Sequence, residues 1–88
     1  MSEDTVRLWL VDRDYTQDRD IVGLVYASTD GSRHLRKEVG TDRFARSITA
    51  AIDVAASKTS RIRNDDLQAE YAAEARRMAD EHDPDDPA

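Results

Sequence analysis

The chain has 88 residues, of which 39% are hydrophobic and 36% charged, and it contains no cysteine. This length supports one small domain with a thin core, so we expect self-association to add stability. The absence of cysteine excludes disulfides, cysteine-ligated metals and thiol nucleophiles, and it suits a cytoplasmic protein. The first residues are acidic and no long apolar run follows. We therefore expect no secretory signal and no membrane span.

Acidic residues outnumber basic ones by 19 to 13, which gives a formal net charge of -6. Most of the acids are Asp and all but two of the bases are Arg. This composition resembles that of cytosolic proteins from halophilic archaea, and the resemblance implies a surface that stays hydrated in concentrated salt. An ordinary acidic protein from a GC-rich mesophile is the alternative.

The charge is unevenly distributed along the chain. Residues 31–63 carry eight basic and three acidic side chains, whereas residues 64–88 carry two basic and nine acidic ones. The sequence therefore predicts a basic segment inside an acidic protein.

Alternating apolar residues predict three strands, over 5–12, 21–28 and 32–39. A turn at Thr16-Gln17 would pair the first two strands with Trp9 beside Leu24. For the second hairpin, an Asp-Gly turn would place Arg36 opposite Val25. We favour instead a three-residue loop with Gly31 at positive φ, which places Leu35 there.

Two helices are predicted after Gly40. The first, capped by Thr41 or Asp42 and ending near Lys58, has an apolar side at spacings of three and four: Phe44, Ile48, Ala51, Ile52 and Ala55. The second begins at the cap Asn64, runs to about His82 and has the stripe Leu67, Tyr71, Ala75 and Met78. The acidic, proline-containing tail 83–88 is predicted to be disordered, which leaves residues 1–82 as the domain.

These elements predict an α+β fold of order βββαα, a three-stranded antiparallel sheet with both helices on one face. The opposite face then carries five apolar residues, Trp9, Val11, Val22, Leu24 and Tyr26. Such a face needs cover, from the second helix, from another subunit or from a ligand. We favour a homodimer, because Trp and Tyr are enriched at interfaces.

The order of strands and helix around Ala27-Ser28-Thr29-Asp30-Gly31 resembles a family of small bacterial and archaeal domains of unknown function that dimerise. Together with the composition, this identifies the chain as similar to an uncharacterised small haloarchaeal family. The resemblance implies a dimer and assigns no residue a role.

No pattern of catalytic or metal-binding residues is complete. The alternating acids from Asp12 to Asp20 lack the Gly and Glu of a calcium loop, since Gln17 and Gly23 occupy those places. The TDGS string at Thr29–Ser32 is familiar from ribonuclease H enzymes, but here it indicates a turn. His34 and His82 have no second ligand at metal-binding spacing. We expect no cofactor, no metal and no enzymatic activity.

The favoured function is a non-enzymatic interaction module that self-associates through the aromatic sheet face. The alternative is nucleic-acid binding by the basic segment, with Trp9 and Tyr26 as a stacking platform. Its candidate contacts are Arg33, Arg36, Lys37, Arg61 and Arg63. These cations have a competing use in salt bridges with Glu38, Asp42 and Asp53, or with the acidic helix of a second copy.

Overall fold

The computed structural model describes residues 4–15, 21–40 and 48–87. Within these ranges it contains five strands, a short 3-10 helix over Ala56–Lys58 and one α-helix. The strands are β1 (Thr5–Tyr15), β2 (Ile21–Ala27), β3 (Arg33–Gly40), β4 (Ala51–Ala55) and β5 (Ser60–Arg61), and the helix is α1 (Asp65–Glu81). They form one antiparallel sheet in the order β4-β1-β2-β3-β5.

The prediction of three strands and two helices is wrong. Residues 51–55 of the predicted first helix form β4, which pairs with β1 so that Leu8 lies opposite Ile52. The alternation of Ile52 and Val54 with the charged Asp53 fits a strand, and this pairing overrides the helical preference of the neighbouring alanines. The predicted start of that helix, with Thr41, Asp42 and Phe44, lies outside the described residues.

The register of β1 against β2 also differs from the prediction. Leu10 lies opposite Tyr26, and the register shifts between Leu10 and Asp12. A bulge inserts a residue into one strand and exchanges the faces beyond it, so the even spacing used in the prediction could not hold. As a result Leu10 shares a face with Tyr26, while Trp9 shares the other face with Ala27.

In the second hairpin Val25 lies opposite Arg36, the register that we did not favour. The connecting loop is longer than either candidate, because Ser28 and Arg33 are joined by a backbone hydrogen bond of 3.0 Å. Gly31 does adopt the predicted positive φ, 73°. Its amide closes the turn by donating to the Ser28 carbonyl oxygen.

The sheet is strongly curved. In a flat five-stranded sheet the two edge strands would lie about 19 Å apart. Here the edge strands β4 and β5 are joined by Ala56–Thr59 alone, and three of these residues form the compact 3-10 helix. The Arg33 side chain of β3 accordingly reaches the Ala56 carbonyl oxygen at 3.4 Å and Thr59 Oγ1 at 3.0 Å.

Helix α1 lies on the sheet face that carries Trp9. Its buried residues are Ala72, Ala75 and Met78, and the last two belong to the same buried cluster as Trp9. The predicted cap is confirmed, because Asn64 Oδ1 accepts a hydrogen bond from the Leu67 amide at 3.0 Å. In the described ranges no helix is both long and apolar enough to cross a membrane.

The C-terminal residues follow the outer edge of β4. The Pro84 and Asp86 carbonyl oxygens accept hydrogen bonds from the amides of Ala51 and Ala50, at 2.9 and 2.8 Å. Thr49 and Pro87 form an isolated bridge. The segment for which composition predicted disorder thus makes regular backbone contacts through residues 84–87.

Candidate binding grooves on the two sides of the helix

Four of the five residues predicted to form a subunit interface lie inside the fold. Val22 and Leu24 are fully buried, Tyr26 is 1% exposed and Trp9 is 6% exposed, with Val11 half-buried. The observed registers also place Trp9 on the opposite face from Tyr26. Helix α1 covers the indole side, so the four buried side chains present no apolar face to a second subunit.

Three of the five predicted cationic contacts come together at the β5 edge. They line a groove of about 530 Å³, which we call the arginine groove and which is formed by Ser32, Arg33, Arg61, Ile62, Arg63 and Gln68. The other two lie apart from it. Arg36 is paired with Asp14 across the sheet at 3.3 Å, and Lys37 lies opposite Leu24 on β2.

Backbone pairing holds the walls of the arginine groove. β5 pairs with β3, with Arg33 opposite Arg61. The ladder continues as the Ile62 amide donates to the Ser32 carbonyl oxygen at 2.9 Å, and the Ile62 side chain is 8% exposed. Helix α1 begins three residues later and contributes Gln68 to the wall. The site thus stands on a sheet edge and a helix start that are fixed to each other.

The cations of this groove are not neutralised by the described residues. Like charges directly opposite in a sheet repel each other, as the guanidinium groups of Arg33 and Arg61 must. Among the described residues, the Arg33 guanidinium donates only to two neutral oxygens, Ala56 O and Thr59 Oγ1. In the described part of the chain, neither Arg61 nor Arg63 makes an ion pair with a carboxylate. An anionic ligand would relieve this repulsion.

One of the three carboxylates expected to pair with the basic segment is engaged elsewhere. Asp53 binds Arg7 across β1 and β4 at 2.8 Å, and this hydrogen bond lowers the pKa of Asp53. Asp42 lies outside the described residues. Arg36 forms its salt bridge with Asp14 of β1.

A second groove lies on the other side of α1 and was missed by the sequence analysis. We call it the acidic groove; its volume is about 240 Å³ and it is formed by Val11, Asp12, Leu67, Glu70, Tyr71 and Glu74. Burial raises the pKa of Tyr71, and the nearby carboxylates of Asp12 and Glu70 raise it further. The four-residue spacing of Glu70 and Glu74 indicates an acidic side of the helix. The position of Asp12 beside that side depends on the bulge in β1, which the sequence does not show.

The TDGS turn is built as a structural motif. Asp30 Oδ1 accepts hydrogen bonds from Ser28 Oγ at 2.6 Å, the Ser32 amide at 2.9 Å and Ser32 Oγ at 2.7 Å. These bonds lower the pKa of Asp30 to about 2, the Ser28 hydroxyl having the largest effect. Among residues 4–15, 21–40 and 48–87, no group of three or more His, Cys, Asp or Glu side chains could hold a metal ion.

The chain matches the model of a family of unknown function, DUF7967, over residues 2–88, and it therefore belongs to that family. Searches of curated proteins and of solved structures find no match to it.

Proposed function

We propose that this member of the DUF7967 family is a non-enzymatic interaction module whose arginine groove binds an acidic protein surface. The observation that carries the proposal is the direct opposition of Arg33 and Arg61 with no carboxylate paired to either among the described residues. Such an arrangement costs stability in the free protein. It becomes favourable when carboxylates bind, since each guanidinium can hold a carboxylate through two parallel hydrogen bonds.

An acidic protein fits this groove better than a nucleic acid does. Single-stranded binding draws on aromatic platforms for the bases, and both Trp9 and Tyr26 are buried. Three phosphate contacts alone would give a salt slope of only about -2, which corresponds to weak binding.

Titration calorimetry with a glutamate-rich peptide at low salt tests the proposal. We expect binding that weakens at least tenfold in Arg61→Gln and in Arg63→Gln. Lys37→Gln is the matched control, because it removes the same charge outside the groove and should change the affinity less than twofold.

Two results would overturn the proposal. One is the absence of peptide binding by the wild-type chain, or an equal loss in all three variants. The other is tighter binding of a single-stranded RNA oligonucleotide that the two arginine variants lose, which would assign the groove to nucleic acid.

A further inference from the structure

We propose that the acidic surface bound by the arginine groove is the acidic groove of a second copy of this chain, in a two-fold symmetric dimer built on α1. This inference rests on the proposed function and names its partner. In this dimer the interface is an exposed surface of complementary charge, and the buried aromatic residues take no part in it.

The two grooves flank the N-terminal half of the same helix. At 3.6 residues per turn, Leu67, Glu70 and Glu74 project from one side of α1. Gln68, in the wall of the arginine groove, lies about 100° around the helix from Leu67, and its backbone carbonyl group faces Gly31 of the hairpin loop. Surfaces of opposite charge therefore lie side by side, separated only by the outer ridge of the helix.

That ridge is low. Ala69 and Ala73 are exposed and lie four residues apart on one side of the helix, and Ala73 projects away from the buried Ala75. Methyl side chains there let a second helix approach closely while the longer side chains on both sides reach across. Two exposed alanines do not by themselves indicate a contact site. Here, however, Ala69 and Ala73 lie between two grooves of opposite charge.

Symmetry fixes the arrangement. A two-fold axis parallel to α1 places the acidic groove of each copy against the arginine groove of the other, so that one contact is made twice. The other two-fold axis in the interface, perpendicular to α1, would bring acidic groove to acidic groove. The two helices must therefore run parallel, and Ala69 and Ala73 each lie near their own counterparts.

The chemistry of the paired grooves is complementary beyond charge. Leu67 is the large hydrophobic side chain left exposed among the described residues, at 36%, and it lies beside Tyr71. An arginine from the partner can extend its methylene stem over this apolar patch, place its guanidinium near the Tyr71 ring and pair with Glu70. Within the described residues, the Glu70 carboxylate makes no ion pair of its own.

Cysteine crosslinking tests the geometry, because the native chain has no cysteine. In the parallel dimer, Ala73→Cys lies close enough to its counterpart for a disulfide, which needs Cα atoms within about 7 Å. Under mild oxidation we expect most of this variant to run as a covalent dimer on a non-reducing gel. Glu38→Cys, an exposed position on β3 away from α1, is the control and should remain monomeric.

Charge reversal tests the pairing. Sedimentation equilibrium at low salt should show at least a tenfold weaker dimer for Arg61→Glu and for Glu70→Arg. The double variant should recover to within about threefold of the wild-type dissociation constant, because it restores opposite charges at the contact. Circular dichroism establishes that each variant is folded.

A monomeric wild-type chain at millimolar concentration would overturn the dimer, as would equal crosslinking of both cysteine variants or a double variant no better than the single ones. If the chain is monomeric while its arginine groove still binds the glutamate peptide, the proposed function stands and the dimer alone fails. If the peptide is not bound either, both fail.

Discussion

Gly31 connects the hairpin loop to the helix. Its φ of 73° is one that L side chains rarely adopt. A Cβ atom there would also collide with the backbone carbonyl oxygen of Gln68 and touch the Ala72 side chain. Glycine therefore lets α1 lie directly on the loop, and this contact places Gln68 in the arginine groove.

Gly31→Ala should lower the free energy of unfolding by about 1–2 kcal/mol from the backbone conformation alone. The collision with Gln68 adds to this loss. Urea unfolding followed by Trp9 fluorescence measures it. Gly23→Ala is the control, since its Cβ would approach the far end of the flexible Arg36 side chain, at 2.8 Å from Nη2. Equal losses in the two variants would contradict the role assigned to Gly31.

Asp30 makes the same loop sensitive to pH. Its pKa in the folded protein, about 2, lies below the ordinary value of 3.8, because Ser28 and Ser32 donate hydrogen bonds to the carboxylate. The stabilisation is therefore complete above about pH 4 and is lost as the pH falls toward 2. After allowance for solvent screening of this exposed group, we expect it to amount to about 1 kcal/mol.

Asp30→Asn removes the titrating group and tests this assignment. Between pH 4 and pH 2 the variant should lose about 1 kcal/mol less stability than the wild type, as measured by urea unfolding at each pH. Parallel loss in both proteins over this window would show that the turn does not depend on the ionised carboxylate.

Among the helices and strands, the sequence predicted correctly the elements whose capping residues and hydrophobic spacing agree with the tertiary structure. Helix α1 has a capping Asn64 and an unbroken helical pattern, and it forms within a residue of its predicted bounds. β4 was missed because Ala51, Ile52 and Ala55 also fit a helical spacing. Its pairing with β1, a contact distant in sequence, decides the outcome.

The two predicted registers failed for a related reason. A bulge near Val11 and a loop held by Ser28, Asp30 and Ser32 both add residues that strict alternation does not show. Since a shift of one residue exchanges the faces, Trp9 was grouped with the wrong neighbours. The proposed aromatic interface followed from that grouping.

The C-terminal segment acts as a short additional edge for β4. Truncation after His82 should remove the hydrogen bonds that Pro84 and Asp86 accept from Ala51 and Ala50. We expect a loss of about 1–3 kcal/mol, at about 0.5–1.5 kcal/mol for each of the two bonds. Amide hydrogen exchange should show faster exchange at Ala50 and Ala51, while the Leu8 amide on β1 stays protected. Unchanged exchange at both alanines would contradict the contact.

At the scale of the whole molecule, the curved sheet and α1 separate two charged surfaces. The uneven charge along the sequence indicated a basic segment, and three of its five proposed contacts, Arg33, Arg61 and Arg63, do meet. Their convergence depends on the short link between β4 and β5, which the helical prediction for residues 51–58 excluded. The acidic groove could not be found because it joins α1 to a bulge in β1.

The most direct measurement is the amide spectrum of the ¹⁵N-labelled chain during titration with the glutamate-rich peptide, at a protein concentration below that of any self-association. We predict that the largest shifts fall on the residues that line the arginine groove: Ser32, Arg33, Arg61, Ile62, Arg63 and Gln68. The absence of shifts at these residues, or shifts centred on Arg36 and Lys37 instead, would contradict binding at the arginine groove.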